Sequence, residues 1–150
     1  MDVKKIILIL MCAGTFILLS ASVGGNNWLD KGGNHQGLWR ACVKFLGSTV
    51  CGEFEMSNVS GKFHACRAFA AISLLLTVVG GIIAFVRLCK ELDGKIVGGF
   101  FLAAGVCMLI ALSVYIDLMR GLADYSWSFT FGWISVVLCF ATGVISIVIK

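Results

Sequence analysis

Residues 28–51 of the chain read WLDKGGNHQGLWRACVKFLGSTVC, a mostly polar stretch between long apolar runs. Its distinctive residues are two tryptophans, a Gly-Leu-Trp tripeptide and two cysteines: Trp28, Gly37, Leu38, Trp39, Cys42 and Cys51. Aromatic residues and paired cysteines in an otherwise polar loop indicate a small folded element rather than a slack connector. Because the remainder of the chain is compatible with lipid, this stretch decides the fold and holds most of the functional information.

The composition indicates that lipid is the solvent for most of the chain. Hydrophobic residues make up 59% of the 150 residues, charged residues make up 13%, and proline is absent, whereas soluble domains are about 45–50% apolar. Helices satisfy every backbone amide within their own segment, and these runs do not alternate as the strands of a β-barrel would. Four charge-free runs are long enough to cross a hydrocarbon core of about 30 Å as helices: residues 6–29, 68–86, 96–116 and 125–149.

The sequence therefore predicts a membrane protein that is all-α with a small β element. The predicted architecture is a four-transmembrane-helix bundle that carries a small extracellular antiparallel sheet, in one domain over residues 1–150. The predicted spans are residues 6–27, 67–88, 96–118 and 127–149, and the extracellular connections are residues 28–66 and 119–126.

The first apolar run has two interpretations. Lys4 and Lys5, followed by an apolar stretch and by Ser20-Ala21-Ser22, also fit a secretory signal with a small-residue cleavage site. The apolar run continues to Leu29, which is longer than such a signal needs. We therefore favour a retained helix.

The number of spans is even, so both termini are predicted on the same side of the membrane. The positive-inside rule places Lys4, Lys5 and the charged connection around Arg87 in the cytosol. A raw count does not decide the orientation, because the twelve Lys and Arg residues divide equally between the two sides. The density of positive charge favours cytosolic termini, because the cytosolic segments are much shorter.

Two features of the first connection favour an extracellular position. Cys42 and Cys51 could form a disulfide, which requires an oxidising compartment; the alternative is two free thiols. Asn58-Val59-Ser60 is an N-glycosylation sequon, which is usable only on the lumenal or extracellular side. Asn58 is therefore a candidate glycosylation site.

The cysteine pair also suggests a hairpin. Residues 38–43 and 49–54 have strand-like composition, and Leu46-Gly47-Ser48 is the expected turn between them. A disulfide from Cys42 to Cys51 would join neighbouring strands. Such a cross-link stabilises a hairpin that would be marginal by itself in water.

This pattern resembles the claudin, peripheral myelin protein and epithelial membrane protein superfamily of tetraspan proteins. The tryptophans, the Gly-Leu-Trp tripeptide and the two cysteines lie between the first and second of four spans, where that family has them. The short interval from Trp28 to Trp39 is similar to the myelin and epithelial members. Residues 35–40, 67–69 and 125–133 are most similar to the lens fibre membrane intrinsic protein branch.

The resemblance implies a sheet built from the first connection with one strand from the third, placed on the outer face of the bundle. It implies cell–cell contact or junction formation in the plasma membrane, through extracellular-loop contacts and lateral oligomers. The partners would be the lipid bilayer and further copies of the chain, in the same membrane and in an opposing one. Two alternatives stay open: a regulatory subunit that binds laterally to a channel or receptor, and a paracellular or membrane channel.

Individual residues receive roles on this basis. Arg67 is expected to connect the outer end of the second helix to the sheet, and Leu38 to lie beneath the sheet. Asp117 could pair with Arg67 or with Arg120. An apolar hairpin tip is unexpected unless it contacts another molecule, so Phe45 and Leu46 are the candidate partner contacts.

Cys89 lies beside basic residues at the cytosolic boundary and is a candidate palmitoylation site. We predict that the chain is not an enzyme, because its few polar groups include no combination of nucleophile and general base. We predict no cofactor and no metal, because His35 and His64 are the only histidines and show no metal-ligand spacing. A nucleic-acid partner is not expected either, because the cations are scattered.

Overall fold

The structure is a computed structural model that describes residues 2–53, 60–121 and 124–149. Its four helices are each long and apolar enough to cross a membrane, which confirms the predicted four-helix membrane class. They are α1 (Val3–Gly24), α2 (Gly61–Cys89), α3 (Gly94–Leu118) and α4 (Trp127–Val148).

Short polar side chains begin three of the helices. Asp2, Ser60 and Asp93 precede α1, α2 and α3, and each accepts a hydrogen bond from a backbone N–H of the first turn, at 3.2, 3.3 and 3.0 Å respectively. Such caps satisfy amides that have no partner within the helix. The cap at Ser60 explains why α2 begins well before residue 67, where the apolar run suggested the start of the span.

Five short strands form one antiparallel sheet in the order β4-β3-β2-β1-β5. The strands are β1 (Leu29–Lys31), β2 (Asn34–Gln36), β3 (Arg40–Phe45), β4 (Ser48–Glu53) and β5 (Asp124–Tyr125). Four strands come from the α1–α2 connection and β5 comes from the α3–α4 connection. This arrangement confirms the small antiparallel sheet and the contribution of a strand from the third connection.

The bundle has two clusters of buried side chains. One lies beneath the sheet and includes Leu19, Trp28, Leu38, Phe63, Tyr115 and Phe129. The other lies toward the opposite end and includes Leu8, Cys12, Val97, Phe101, Ala104 and Cys139. Because α1 contributes to both clusters, it packs as an integral helix of the bundle.

Buried hydroxyl groups connect the helices to one another. The Ser73 hydroxyl on α2 donates to the Ala104 carbonyl of α3 at 2.8 Å, and the Ser146 hydroxyl on α4 donates to the Gly94 carbonyl of α3 at 2.9 Å. Hydrogen bonds of this kind contribute to helix association in lipid, where apolar contact between helices gives little driving force.

Arg87 is buried near the end of α2 that is remote from the sheet. Its Nη2 donates to the carbonyl oxygen of Ile149, just past α4, at 2.8 Å. A Cβ at Gly94 would lie 2.8 Å from Arg87 Nη1, so glycine lets the first turn of α3 approach the guanidinium. The side chain therefore holds the ends of α2, α3 and α4 together. The sequence analysis used Arg87 only as a positive charge that indicates the cytosolic side.

Gly98 and Gly99 are neighbours on α3 in opposite environments. A Cβ at Gly98 would lie 2.8 Å from the carbonyl oxygen of Gly143 on α4, whereas a Cβ at Gly99 would meet no atom of the described residues within 4 Å. Gly98 thus permits close contact between α3 and α4, while Gly99 borders open space.

We expect Gly98→Ala to lower the free energy of unfolding by about 1–3 kcal/mol, the usual cost of overpacking. Gly99→Ala is the matched control and should leave stability unchanged or slightly higher, because alanine favours the helix. Thermal unfolding of the purified variants in detergent measures the difference. Equal unfolding temperatures for the two variants would contradict the close α3–α4 contact.

Candidate functional site

Two tryptophans close the end of α1 beneath the sheet. Trp28 Nε1 donates to the carbonyl oxygen of Ser22 at 2.7 Å, and Trp39 Nε1 donates to that of Val23 at 2.8 Å. The last carbonyls of a helix have no partner within it, and a buried carbonyl left unpaired costs about 1–3 kcal/mol. The two indoles therefore satisfy two of the carbonyls at the end of α1.

Trp28 is also the central packing residue of this end of the bundle. Its side chain is fully buried. Its ring centroid lies 4.7 Å from that of Tyr115 and 5.7 Å from that of Phe129, both in edge-to-face orientation, the favoured geometry for aromatic pairs. Trp39, in contrast, remains 40% exposed. Trp28 thus has no surface to offer a partner, whereas Trp39 keeps part of its ring accessible.

Gly37 occupies a point of close backbone contact. A Cβ at this position would collide with the carbonyl oxygen of Gly25 and would lie 2.7 Å from Cα of Asn26. The chain therefore needs glycine where β2 leads toward β3 over the end of α1. The next residue, Leu38, is fully buried beneath the sheet.

Arg67 connects α2 to the sheet. Its Nε donates to the carbonyl oxygen of Leu38 at 2.6 Å, and its guanidinium carbon lies 5.4 Å from the ring centroid of Trp39 and 4.8 Å from that of Phe63. Both distances are within the range of cation–π attraction. The side chain is buried, so one residue holds the Gly-Leu-Trp segment, the exposed tryptophan and α2 in a fixed arrangement.

The β3–β4 hairpin is closed by the disulfide between Cys42 and Cys51, which confirms the predicted pair. The two cysteines are directly opposite each other in the strand pairing. A cross-link that closes so short a loop contributes about 2–3 kcal/mol by restricting the unfolded chain. His35 lies beside them, with its ring nitrogen and both sulfur atoms within 4.8 Å of one another. The sulfurs are joined to each other and so are unavailable as metal-binding thiolates.

The hairpin tip is apolar and exposed. Phe45 is 67% exposed and Leu46 is 90% exposed. Leu46 and Gly47 form a two-residue turn with positive φ angles of 48° and 79°, the signature of the type I′ turn that suits hairpins. Leucine rarely adopts this backbone conformation, so the tip combines an unfavourable local geometry with an unfavourable exposure to water.

The apolar surface continues along the hairpin. Val43 and Val50 are cross-strand partners, and both are exposed. β4 lies at one edge of the sheet, and all six of its residues are exposed. An exposed edge strand offers unpaired backbone groups to another chain. The sequence analysis did not single out these two valines, although their alternation with polar residues in the strand-like segments was a usable signal.

The remaining predicted residues lie elsewhere. Asp117 forms its ion pair with Lys62, at 2.9 Å, a partner that the sequence analysis did not consider because α2 and α3 bring together residues far apart in the chain. Cys89 is exposed at the far end of α2, remote from the sheet. Asn58 lies outside the residues that the structure describes.

Comparison with known proteins agrees with this geometry. The family model described as PMP-22/EMP/MP20/Claudin family matches residues 1–146. The lens fiber membrane intrinsic protein of Bos taurus is 31% identical over 157 aligned positions, which cover 90% of this chain and 85% of the relative. Its Homo sapiens counterpart is 30% identical with the same coverage. Claudin domain-containing protein 2 of Mus musculus is 27% identical over 85% of this chain and 75% of its own length.

We expect Arg67→Lys to lower the free energy of unfolding by about 1.5–3 kcal/mol, the contribution of a hydrogen bond to a charged group. Lysine keeps the charge but lacks both the Nε donor to Leu38 and the planar group near Trp39. Unfolding in detergent, followed by tryptophan fluorescence, measures the effect. Arg120→Lys, the same change at an exposed position, is the control, and equal stability of the two variants would rule out the junction role of Arg67.

Proposed function

This chain belongs to the PMP-22/EMP/MP20/Claudin family, and we propose that it is a non-enzymatic membrane protein that forms contacts between cells or at cell junctions. The contacts are made by the sheet and by lateral association of copies within one membrane. The β3–β4 hairpin is the contact surface, with Phe45 and Leu46 at its tip.

The conformation of Leu46 is the observation that supports this function best. A left-handed backbone costs a leucine about 1–2 kcal/mol, and asparagine or aspartate followed by glycine would suit the same turn better. The side chain is also 90% exposed, so packing within the chain does not offset that cost. Burial of a leucine in an interface contributes about 1.5–3 kcal/mol, which is enough to offset the cost of the left-handed backbone.

The hairpin is also held in place before any partner arrives. The disulfide fixes its two strands to each other, and the bonds from Trp39 and Arg67 fix the adjoining segment to α1 and α2. A preorganised surface loses less conformational entropy when it binds. The tip can therefore support contacts through a small area.

The proposed orientation places the sheet outside the cell and both termini in the cytosol, at the plasma membrane and at cell–cell junctions. The disulfide supports this orientation, because such bonds persist in oxidising compartments. In this orientation Asn58 can receive a glycan. Cys89, exposed between Arg87 and Lys90 at the cytosolic boundary, is the proposed site of palmitoylation.

A lateral partner, such as a channel or receptor subunit, is the second candidate. The observation that favours it is an apolar groove of about 370 Å³ between α1 and α2, bordered by Cys12, Phe16, Thr77, Gly81 and Phe85. This candidate would be favoured over adhesion if the chain co-purified stoichiometrically with a channel. The Gly81→Leu variant should then lose the channel, and the Leu46→Asp variant should retain it.

We expect Leu46→Asp to weaken cell adhesion and self-association by roughly ten-fold or more, because the variant loses the apolar contact. Aspartate followed by glycine suits the turn, so the variant should fold and reach the cell surface normally. The measurements are aggregation of cells that lack junctions of their own and co-purification of two differently tagged copies.

Ser48→Asp is the matched control, since it adds the same charge beside the turn and removes no apolar side chain. The double variant Phe45→Asp, Leu46→Asp should have the stronger effect. Undiminished adhesion by the double variant at equal surface density would refute the proposed role of the tip.

The orientation has an independent test at the same position. Leu46→Asn, in an Asn58→Gln background, creates an Asn-Gly-Ser sequon at an exposed turn. Asparagine readily adopts the left-handed backbone conformation of this turn. We expect a glycosidase-sensitive increase in apparent mass, because glycans are added only on the lumenal side. The further change Ser48→Ala removes the sequon and should abolish the increase. Absence of glycan on the folded Leu46→Asn variant would place the sheet in the cytosol.

A further inference from the structure

A second open groove lies on the lipid-facing surface between α2 and α3, toward the end of the bundle that is remote from the sheet. Its volume is about 360 Å³. All of its lining residues except one are apolar or glycine: Leu76, Lys95, Ile96, Gly99, Phe100 and Ala103. Gly99 and Ala103 form its shallow floor on α3, one turn apart, and Lys95 lies at its mouth.

The length of this groove matches one leaflet of a bilayer. Lys95 and Ala103 are eight residues apart on α3, which corresponds to about 12 Å along the helix axis. Half of a hydrocarbon core of about 30 Å is only slightly longer. The groove is thus about as long as one leaflet is deep, so a lipid acyl chain fits it, whereas a transmembrane helix would cross both leaflets.

The charge at the mouth of the groove favours an anion. Lys95 lines the groove and is exposed, and Lys90 is exposed in the α2–α3 connection that leads to it. The ion pairs Arg40–Glu53 and Lys62–Asp117 of the described residues do not involve either lysine. Two acids, Glu91 and Asp93, lie in the same connection. The Asp93 carboxylate accepts the Lys95 backbone N–H at 3.0 Å as the helix cap, and neither acid belongs to these two ion pairs. The ammonium group of Lys95 therefore remains available to a ligand.

Arg87 adds a further positive charge near the start of α3. Its guanidinium approaches the first turn of α3 at Gly94, the residue before Lys95. Among the described residues, Arg87 Nη1 is buried and makes no hydrogen bond. The charges of Arg87 and Lys95 together give the start of α3 a local field that attracts negative charge.

We propose that the α2–α3 groove binds a phospholipid with a net negative headgroup. One acyl chain lies on Gly99 and Ala103, and the phosphate contacts the Lys95 ammonium at the membrane boundary. Basic residues between membrane helices are suited to such headgroups. The site is separate from the hairpin surface, so its test does not depend on the adhesive function.

Native mass spectrometry of the purified full chain tests this site, with phosphatidylserine and phosphatidylcholine of identical acyl chains added in turn. The wild-type chain should retain phosphatidylserine more strongly. Lys95→Gln should reduce that preference about five-fold, which corresponds to about 1 kcal/mol for one basic residue near a membrane surface. Gly99→Leu should reduce the retention of both lipids, because its side chain fills the groove.

Two glycines give a matched comparison. A Cβ at Gly81, in the α1–α2 groove, also meets no described atom within 4 Å, so Gly81→Leu and Gly99→Leu add the same side chain at two positions where a Cβ has room. Gly81→Leu should leave phosphatidylserine retention unchanged. Equal retention of the two lipids by the wild-type chain, an undiminished preference in Lys95→Gln, or equal losses in the two glycine variants would each overturn the proposal.

Discussion

The carbonyl groups at the end of α1 lack partners within the helix and need hydrogen-bond donors, and the sheet-bearing end of the protein is organised around that need. Trp28 and Trp39 donate to two of these carbonyls, and Gly37 lets the chain pass close enough for both indoles to reach them. In the segment that carries Trp39, the Leu38 carbonyl also needs a hydrogen-bond donor, and Arg67 Nε donates to it. The family's tryptophan and glycine pattern is therefore, in this chain, a solution to backbone hydrogen bonding.

This arrangement separates stability from recognition. The residues that hold the sheet on the bundle are largely buried and have little surface left for a partner. The hairpin extends beyond them, with its disulfide as internal support, and its exposed apolar residues contribute little to the fold. Substitutions near the tip can therefore alter binding without loss of the native structure, whereas substitutions of Trp28 or Arg67 affect the fold first.

Hydropathy and spacing were sufficient to predict the four helices, the hairpin and the disulfide, because each rests on a local or strongly patterned signal. Helix α2 begins at Gly61, before the span predicted from residue 67, because its first turns are amphipathic and the cap at Ser60 extends the helix beyond the apolar run. The acceptors of the indole groups, the Lys62–Asp117 pair and the burial of Arg87 depend on which helices become neighbours. No pattern within one segment contains that information.

Two buried arginines, Arg67 and Arg87, are bonded to other parts of the chain near the two ends of α2. They are twenty residues apart, about 30 Å along the helix, and each donates to a backbone carbonyl of another part of the chain. Neither guanidinium can swing toward the headgroups without breaking that bond. The part of α2 between the two guanidinium groups is therefore held at about the thickness of a hydrocarbon core of about 30 Å.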